Sequence, residues 1–196
     1  FGHTTLAAFG IGNRINSLIL MPAMGIGNAL ATIVGQNLGA DQVQRAKKAV
    51  KTSSILSTVF LLIGGGIFFP FIPQVLRLFS DDPLVINQGI TYLRLITLSL
   101  PLMGFFQIFV GTFQGSGHTI FAMILMIGRL WALRLPMILV FKQYTNWGSN
   151  SVWYAMVLSN AFTCLVGYAI YLSGRWEEKV IDDKPTAKTK KILAKE

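Results

Sequence analysis

Four arginines stand inside long apolar stretches of this chain: Arg14, Arg94, Arg129 and Arg134. The eight carboxylates, Asp41, Asp81, Asp82, Glu177, Glu178, Asp182, Asp183 and Glu196, all lie between or beyond those stretches. A guanidinium at bilayer depth costs about 2.5–3.5 kcal/mol on insertion scales, so it needs a polar partner, a route to the interface or a ligand. Arg94 lies near the end of its stretch and can snorkel. Arg14 is deeper and is flanked by Asn13 and Asn16. Arg129 and Arg134, in GRLWALRLP, are the deepest. Five residues apart, they stand roughly 140° apart around an α-helix, which keeps them from lining one narrow stripe. Arginines without acids suit an anionic group, or carboxylates supplied from outside this chain.

Other side chains offer less. The membrane-depth amides Asn13, Asn16, Asn28, Gln36, Asn37, Gln107, Gln114 and Asn160 either line a polar cavity or tie helices together. His3 and His118 lie far apart, without a second ligand at metal spacing. Cys164, the one cysteine, reads as a small buried hydrophobe. No Ser/His/Asp set, phosphate loop or CxxC pair occurs, so nothing points to an enzyme.

The elements that position these residues follow from the apolar blocks. The chain has 196 residues, 53% hydrophobic and only 13% charged, against about 25% charged in an ordinary soluble domain. A membrane-crossing helix needs about 20 mostly apolar residues. Five stretches qualify, at about 6–34, 53–72, 90–113, 119–141 and 152–173. Continuous apolar runs argue against a membrane barrel, whose strands alternate. The expected fold is all-α: a polytopic bundle of five transmembrane helices at 1–175 with a charged tail at 176–196.

Charge gives the orientation. The loop after the first span carries Arg45, Lys47, Lys48 and Lys51, and the tail carries Arg175, Lys179, Lys184, Lys188, Lys190, Lys191 and Lys195. Five spans place that loop and that tail on one side. The opposite loops hold only Arg77 and Lys142. The positive-inside rule makes the cation-rich side, and the C-terminus, cytoplasmic. The formal charge of +9 therefore reads as topology and not as a nucleic-acid surface. Phe1 then lies outside the cytoplasm, without an initiator Met, and the chain is expected to be the later part of a longer one.

Local signals refine the helices. Pro22, Gly25 and Gly27 favour a bend in the first span, and Gly39 suits a C-cap. Gly64, Gly65 and Gly66 mark a soft point in the second. Asp82 followed by Pro83 is a helix start, and Pro101 is expected to kink the third span. Gly35 with Gly39, and Gly111 with Gly115, form two G-x-x-x-G pairs suited to close helix packing. Trp147, Trp153, Tyr154 and Trp176 take aromatic-belt positions.

An ordered set of motifs resembles the multidrug and toxin extrusion (MATE) family. It comprises Pro22 to Gly25 as P-x-x-G, VGQNLGA at 34–40, the basic helix start at Arg45, then FSDDPLVINQGITYLR, FQGSGHT and RLWALRLP. The resemblance covers most of residues 1–175 and implies helices eight to twelve of a twelve-helix, two-lobed transporter, without helix seven and the N-terminal lobe. It implies a secondary-active antiporter of the plasma membrane that exports organic cations or amphipathic compounds in exchange for protons or sodium by alternating access. The coupling carboxylate of many members lies in the first helix of the N-terminal lobe. The tenth helix, which carries an acid in other members, corresponds to the third span, where none lies at membrane depth. The resemblance makes Asn13, Arg14, Gln36, Gln107, Gln114, Arg129 and Arg134 the candidates for a substrate cavity. The expected partners are the bilayer, the substrate and the N-terminal lobe. Two alternatives stay open: a lipid-linked oligosaccharide flippase of the same superfamily, whose anionic substrate suits membrane arginines, and a non-transporting assembly module.

Overall fold

A computed structural model describes residues 2–178; most of the charged tail at 176–196 lies outside them. The helices are α1 (Gly2–Gly39), α2 (Val43–Phe68), α3 (Ile72–Arg77), α4 (Pro83–Leu98), α5 (Leu100–Gly115), α6 (Thr119–Ile127), α7 (Leu135–Tyr144) and α8 (Asn150–Leu172). A 3-10 turn at Phe69–Phe71 joins α2 to α3, and a π-helical segment at Gly128–Arg134 joins α6 to α7. Four helical runs are long and apolar enough to cross a membrane, and α4 with α5 makes a fifth, bent by 54°. The fold is an all-α membrane-type bundle, as the apolar blocks require.

Contacts at glycines fix how the rods run. On α1, Gly12 faces Tyr92 and Leu93, Gly27 faces Gln107, and Gly35 faces Gly115. Rising numbers on α1 therefore meet rising numbers along α4 and α5. The bent pair is one span lying parallel to α1, not a loop that re-enters from one side. On α2 the order reverses: Gly65 meets Thr97 and Leu100, whereas Ser57 and Leu61 meet Gly104. α8 again runs with the bent span, since Trp153 packs on Tyr92 and Gly167 on Phe109. The start of α2 and the residues just after α8 lie at one end, where Lys47 pairs with Glu177 at 2.7 Å.

The α1–α5 contact is the tightest in the bundle. A Cβ on Gly111 would strike the Gly27 carbonyl, and one on Gly115 the Ala31 carbonyl. One on Gly27 would lie 2.9 Å from the Gln107 carbonyl oxygen, and one on Gly35 would lie 3.0 Å from that of Gly115. The seam therefore joins Gly27, Ala31 and Gly35 to Gly111 and Gly115. Lipid tails are as apolar as leucine, so burial drives little helix association in a bilayer, and close backbone approach supplies packing energy instead.

The kink expected of Pro101 is present: the third span bends by 54° at Ser99, where Pro101 at the start of α5 has no amide hydrogen to donate. α1 stays helical through Pro22. Other local expectations are corrected. Gly39 is the last helical residue, and the left-handed position is Asp41, at φ 58°. Gly39 also has no neighbour for a Cβ within 4 Å, so it is not part of the seam. α2 passes through its three glycines, and Gly65 makes room for Leu100 and Thr97 at the bend. Trp153 and Trp176 are fully buried and not at the lipid interface. Trp153 packs against Phe9 and Tyr92; Trp176 stacks on Tyr171 and donates its indole N–H to the Tyr171 carbonyl at 3.1 Å. The Asp82 cap is formed, its carboxylate accepting from the Leu84 amide at 2.8 Å.

Gly111→Leu or Gly115→Leu forces the seam apart and is expected to cost at least about 1–3 kcal/mol, the range for overpacked cores. Gly25→Ala, at a position with no neighbour within 4 Å, is expected to be neutral or slightly stabilising. Thermal unfolding in detergent measures both; equal melting temperatures for Gly111→Leu and Gly25→Ala contradict the assigned seam.

Candidate functional site

The π-helical segment changes what Arg129 and Arg134 can do. Its hydrogen bonds run from i to i+5, so residues five apart lie one turn apart on the same side. The separation of roughly 140° holds only for an uninterrupted α-helix, and the structure overturns it. Arg129 lays its guanidinium over the Phe106 ring of α5, 4.1 Å from the centroid. Arg134 reaches α8, where its Nε donates to Ser159 Oγ at 3.3 Å and its Nη2 to Asn160 Oδ1 at 3.1 Å. Both arginines are half-buried.

Local sequence explains the placement on α8. The Ser159 hydroxyl donates to the Met156 carbonyl at 2.9 Å, and the Thr163 hydroxyl donates to the Ser159 carbonyl at 2.7 Å. These bonds leave the Ser159 oxygen open to accept from Arg134. Ser159, Asn160 and Thr163 share one side of α8 at spacings of one, three and four and are all buried.

At the pair, three buried polar atoms have no partner within the protein: Arg129 Nε, Nδ2 of the Asn160 that Arg134 contacts, and Tyr92 Oη. Arg134 is within coulombic range of both Arg129 and Tyr92. All three can donate a hydrogen bond. An unmet donor in a dry interior costs about 1–3 kcal/mol. Such donors are met by oxygen acceptors.

The remaining sequence candidates fall elsewhere. Asn13 and Arg14 are exposed on the first half of α1. Gln36 and Gln114 are exposed at the level where Gly35 meets Gly115, and Gln107 is half-buried against Gly27. Asn13, Ser17 and Asn28 recur on an exposed strip of α1 beside the seam, and Gln107 and Gln114, seven apart, share a strip of α5. The amides thus border the glycine seam, while the arginines sit between α5 and α8. Arg94, exposed, leans over Phe69 at 5.9 Å. Sequence reasoning did not single out Ser159, Phe106 or Tyr92 as partners, because nothing in their own segments marks them. Among the described residues there is no cluster of three or more His, Cys, Asp or Glu that could hold a metal.

Comparison with known proteins places this arrangement. Residues 1–140 match the MatE family. The chain is 29% identical over 187 residues to a probable multidrug resistance protein NorM of Thermotoga maritima, covering 92% of this chain and 39% of that protein. It is 32% identical over 139 residues to a FAD transporter of Shewanella oneidensis, covering 69% of this chain and 30% of that one. The fold matches the outward-facing conformation of a multidrug resistance MATE family transporter with a TM-score of 0.82 at 25% identity, over 89% of this chain and 39% of that one. An inward-facing conformation of such a transporter matches in fold with a TM-score of 0.78 at 23% identity, over 88% and 42%. The chain thus spans about two-fifths of the length of most of these relatives. A five-span bundle of this topology, matched by the family over most of its length, belongs to the MatE family of membrane transporters.

Proposed function

We propose that the chain works as part of a secondary-active exporter of the plasma membrane that moves cationic or amphipathic organic compounds outward in exchange for protons or sodium ions. The match to MatE, with a probable multidrug resistance protein aligned over 92% of the chain, carries this reading. The bundle supplies part of one lobe, and further helices complete the transporter. The glycine seam makes α1 and the bent span move as one body, which suits alternating access by rocking. The end that holds the Lys47–Glu177 pair, with Arg45, Lys48, Lys51 and Arg175 in the same two segments, faces the cytoplasm on the positive-inside rule. Multidrug resistance proteins and a FAD transporter as relatives favour small-compound export over the oligosaccharide-flippase alternative.

A second reading concerns the substrate's charge. The donor-rich surroundings of Arg129 and Arg134, without a carboxylate in any span, favour amphipathic compounds bearing an anionic group. The relative described as a FAD transporter supports it, since FAD carries a pyrophosphate.

Expression of the protein in cells stripped of their own exporters is expected to lower the accumulation of a fluorescent organic cation or of a flavin nucleotide, and an ionophore that collapses the ion gradient is expected to restore it. Unchanged accumulation of both compounds, with the protein in the membrane, refutes export. Within the same assay, Arg134→Gln is expected to reduce flavin-nucleotide efflux about tenfold while changing cation efflux little; an equal loss of both assigns Arg134 to structure alone. A double-mutant cycle of Arg134→Ala with Asn160→Ala, read by unfolding, is expected to give a coupling of about 1 kcal/mol, within the range for polar pairs between membrane helices. A coupling of zero means that the Arg134–Asn160 contact contributes nothing to the bundle.

A further inference from the structure

A groove of about 570 Å³ opens on the outside of the bundle between α2, α5 and α8, away from the arginine pair. Its α2 wall is one helix face: Lys47, Lys51, Ser54, Ile55, Thr58 and Val59. Phe105 and Phe109 of α5 and Tyr168 and Tyr171 of α8 form the other walls. The lining is graded. Two ammonium groups stand at the end where α2 begins, with Val50 and the Tyr171 ring beside them, and the far end holds Ile55, Val59 and Phe105 with the Thr58 hydroxyl among them.

Length and charge identify an occupant. From Lys47 to Val59 the helix rises about 18 Å, close to one leaflet of a hydrocarbon core about 30 Å thick. The lysines therefore sit at headgroup level while the apolar part reaches the bilayer middle. Lys47 is neutralised by Glu177 at 2.7 Å, and Lys51 is exposed without a carboxylate partner among the described residues. Arg45 and Lys48 add positive charge at the same end. Basic pockets between membrane helices on the cytoplasmic side bind anionic headgroups, each nearby cation adding attraction. Deeper in the groove, the buried Thr58 hydroxyl has no partner.

We infer that this groove holds one acyl chain of an anionic phospholipid, with Lys51, assisted by Lys47, on its phosphate. The groove lining shares no residue with the substrate-cavity candidates. The bound lipid bridges α2 and α8.

Native mass spectrometry of the detergent-purified protein with phosphatidylglycerol or phosphatidylcholine of matched chains tests it. The wild type is expected to retain one phosphatidylglycerol about tenfold more tightly than phosphatidylcholine. Lys51→Gln is expected to reduce that preference to about twofold, and Arg77→Gln, at the opposite end of the bundle, to leave it unchanged. Thr58→Phe, which fills the groove, is expected to release both lipids while the protein keeps its helical circular dichroism and elution volume. Equal retention of the two lipids by the wild type overturns the inference, as does a preference that survives Lys51→Gln. Displacement of the lipid by an organic cation at lower concentration than by phosphatidylglycerol also overturns it, and assigns the groove to substrate. If Thr58→Phe unfolds, Ile55→Trp takes its place with the same expected release.

Discussion

The rest of the bundle depends on two backbones lying almost in contact. Gly27, Ala31 and Gly35 of α1 meet Gly111 and Gly115 of α5 at a distance that leaves no room for a β-carbon on Gly27, Gly111 or Gly115. In lipid, apolar side chains gain little by turning away from their surroundings, so this approach has to provide what burial provides in water. Once the seam sets α1 against the bent span, the other positions follow. α2 lies on one flank, with Gly104 open to Leu61 and Ser57, and α8 on another, with Gly167 open to Phe109 and Leu125. Each helix is admitted by a glycine on one side of the contact.

The bend at Ser99 belongs to the same design. It divides the span into α4, which meets Gly12 and receives Leu76 of α3 at Gly89, and α5, which meets Gly27 and Gly35. The 54° turn lets α4 and α5 follow α1 in two segments. The backbone groups released there are partly met by the Ser99 hydroxyl, which donates to the Ile96 carbonyl at 2.9 Å. Broken helices are tolerated at membrane depth when such local bonds are available.

Much of this was legible in the sequence, for a physical reason. Apolar runs of about 20 residues have few alternatives to spanning helices, and Asp82 with Pro83 carries its cap in its own chemistry. The bend before Pro101 was readable for the same reason: proline acts locally. What depended on a partner was not readable. Gly35 and Gly39 have the spacing of a packing pair, yet only Gly35 has a backbone opposite it. Trp153 and Trp176 stand at helix ends, but neighbouring helices cover both. Arg129 and Arg134 were recognised as the residues needing explanation, whereas their mutual geometry was not, because a period of 3.6 was assumed across a segment that departs from it.

That segment has a consequence for how relatives are compared. A turn closed from i to i+5 takes up one residue more than an α-helical turn of the same kind. The seven residues Gly128–Arg134 can therefore be viewed as ordinary helix carrying an insertion. In a relative with one residue fewer, two side chains four apart would occupy the places that Arg129 and Arg134 occupy here, because neighbours four apart share a face of an α-helix. Equivalence across this stretch is a matter of a single gap. A gap-free alignment anchored on Gly128 pairs Arg134 with the wrong residue and makes a shared pair of positions look like a difference between the two proteins.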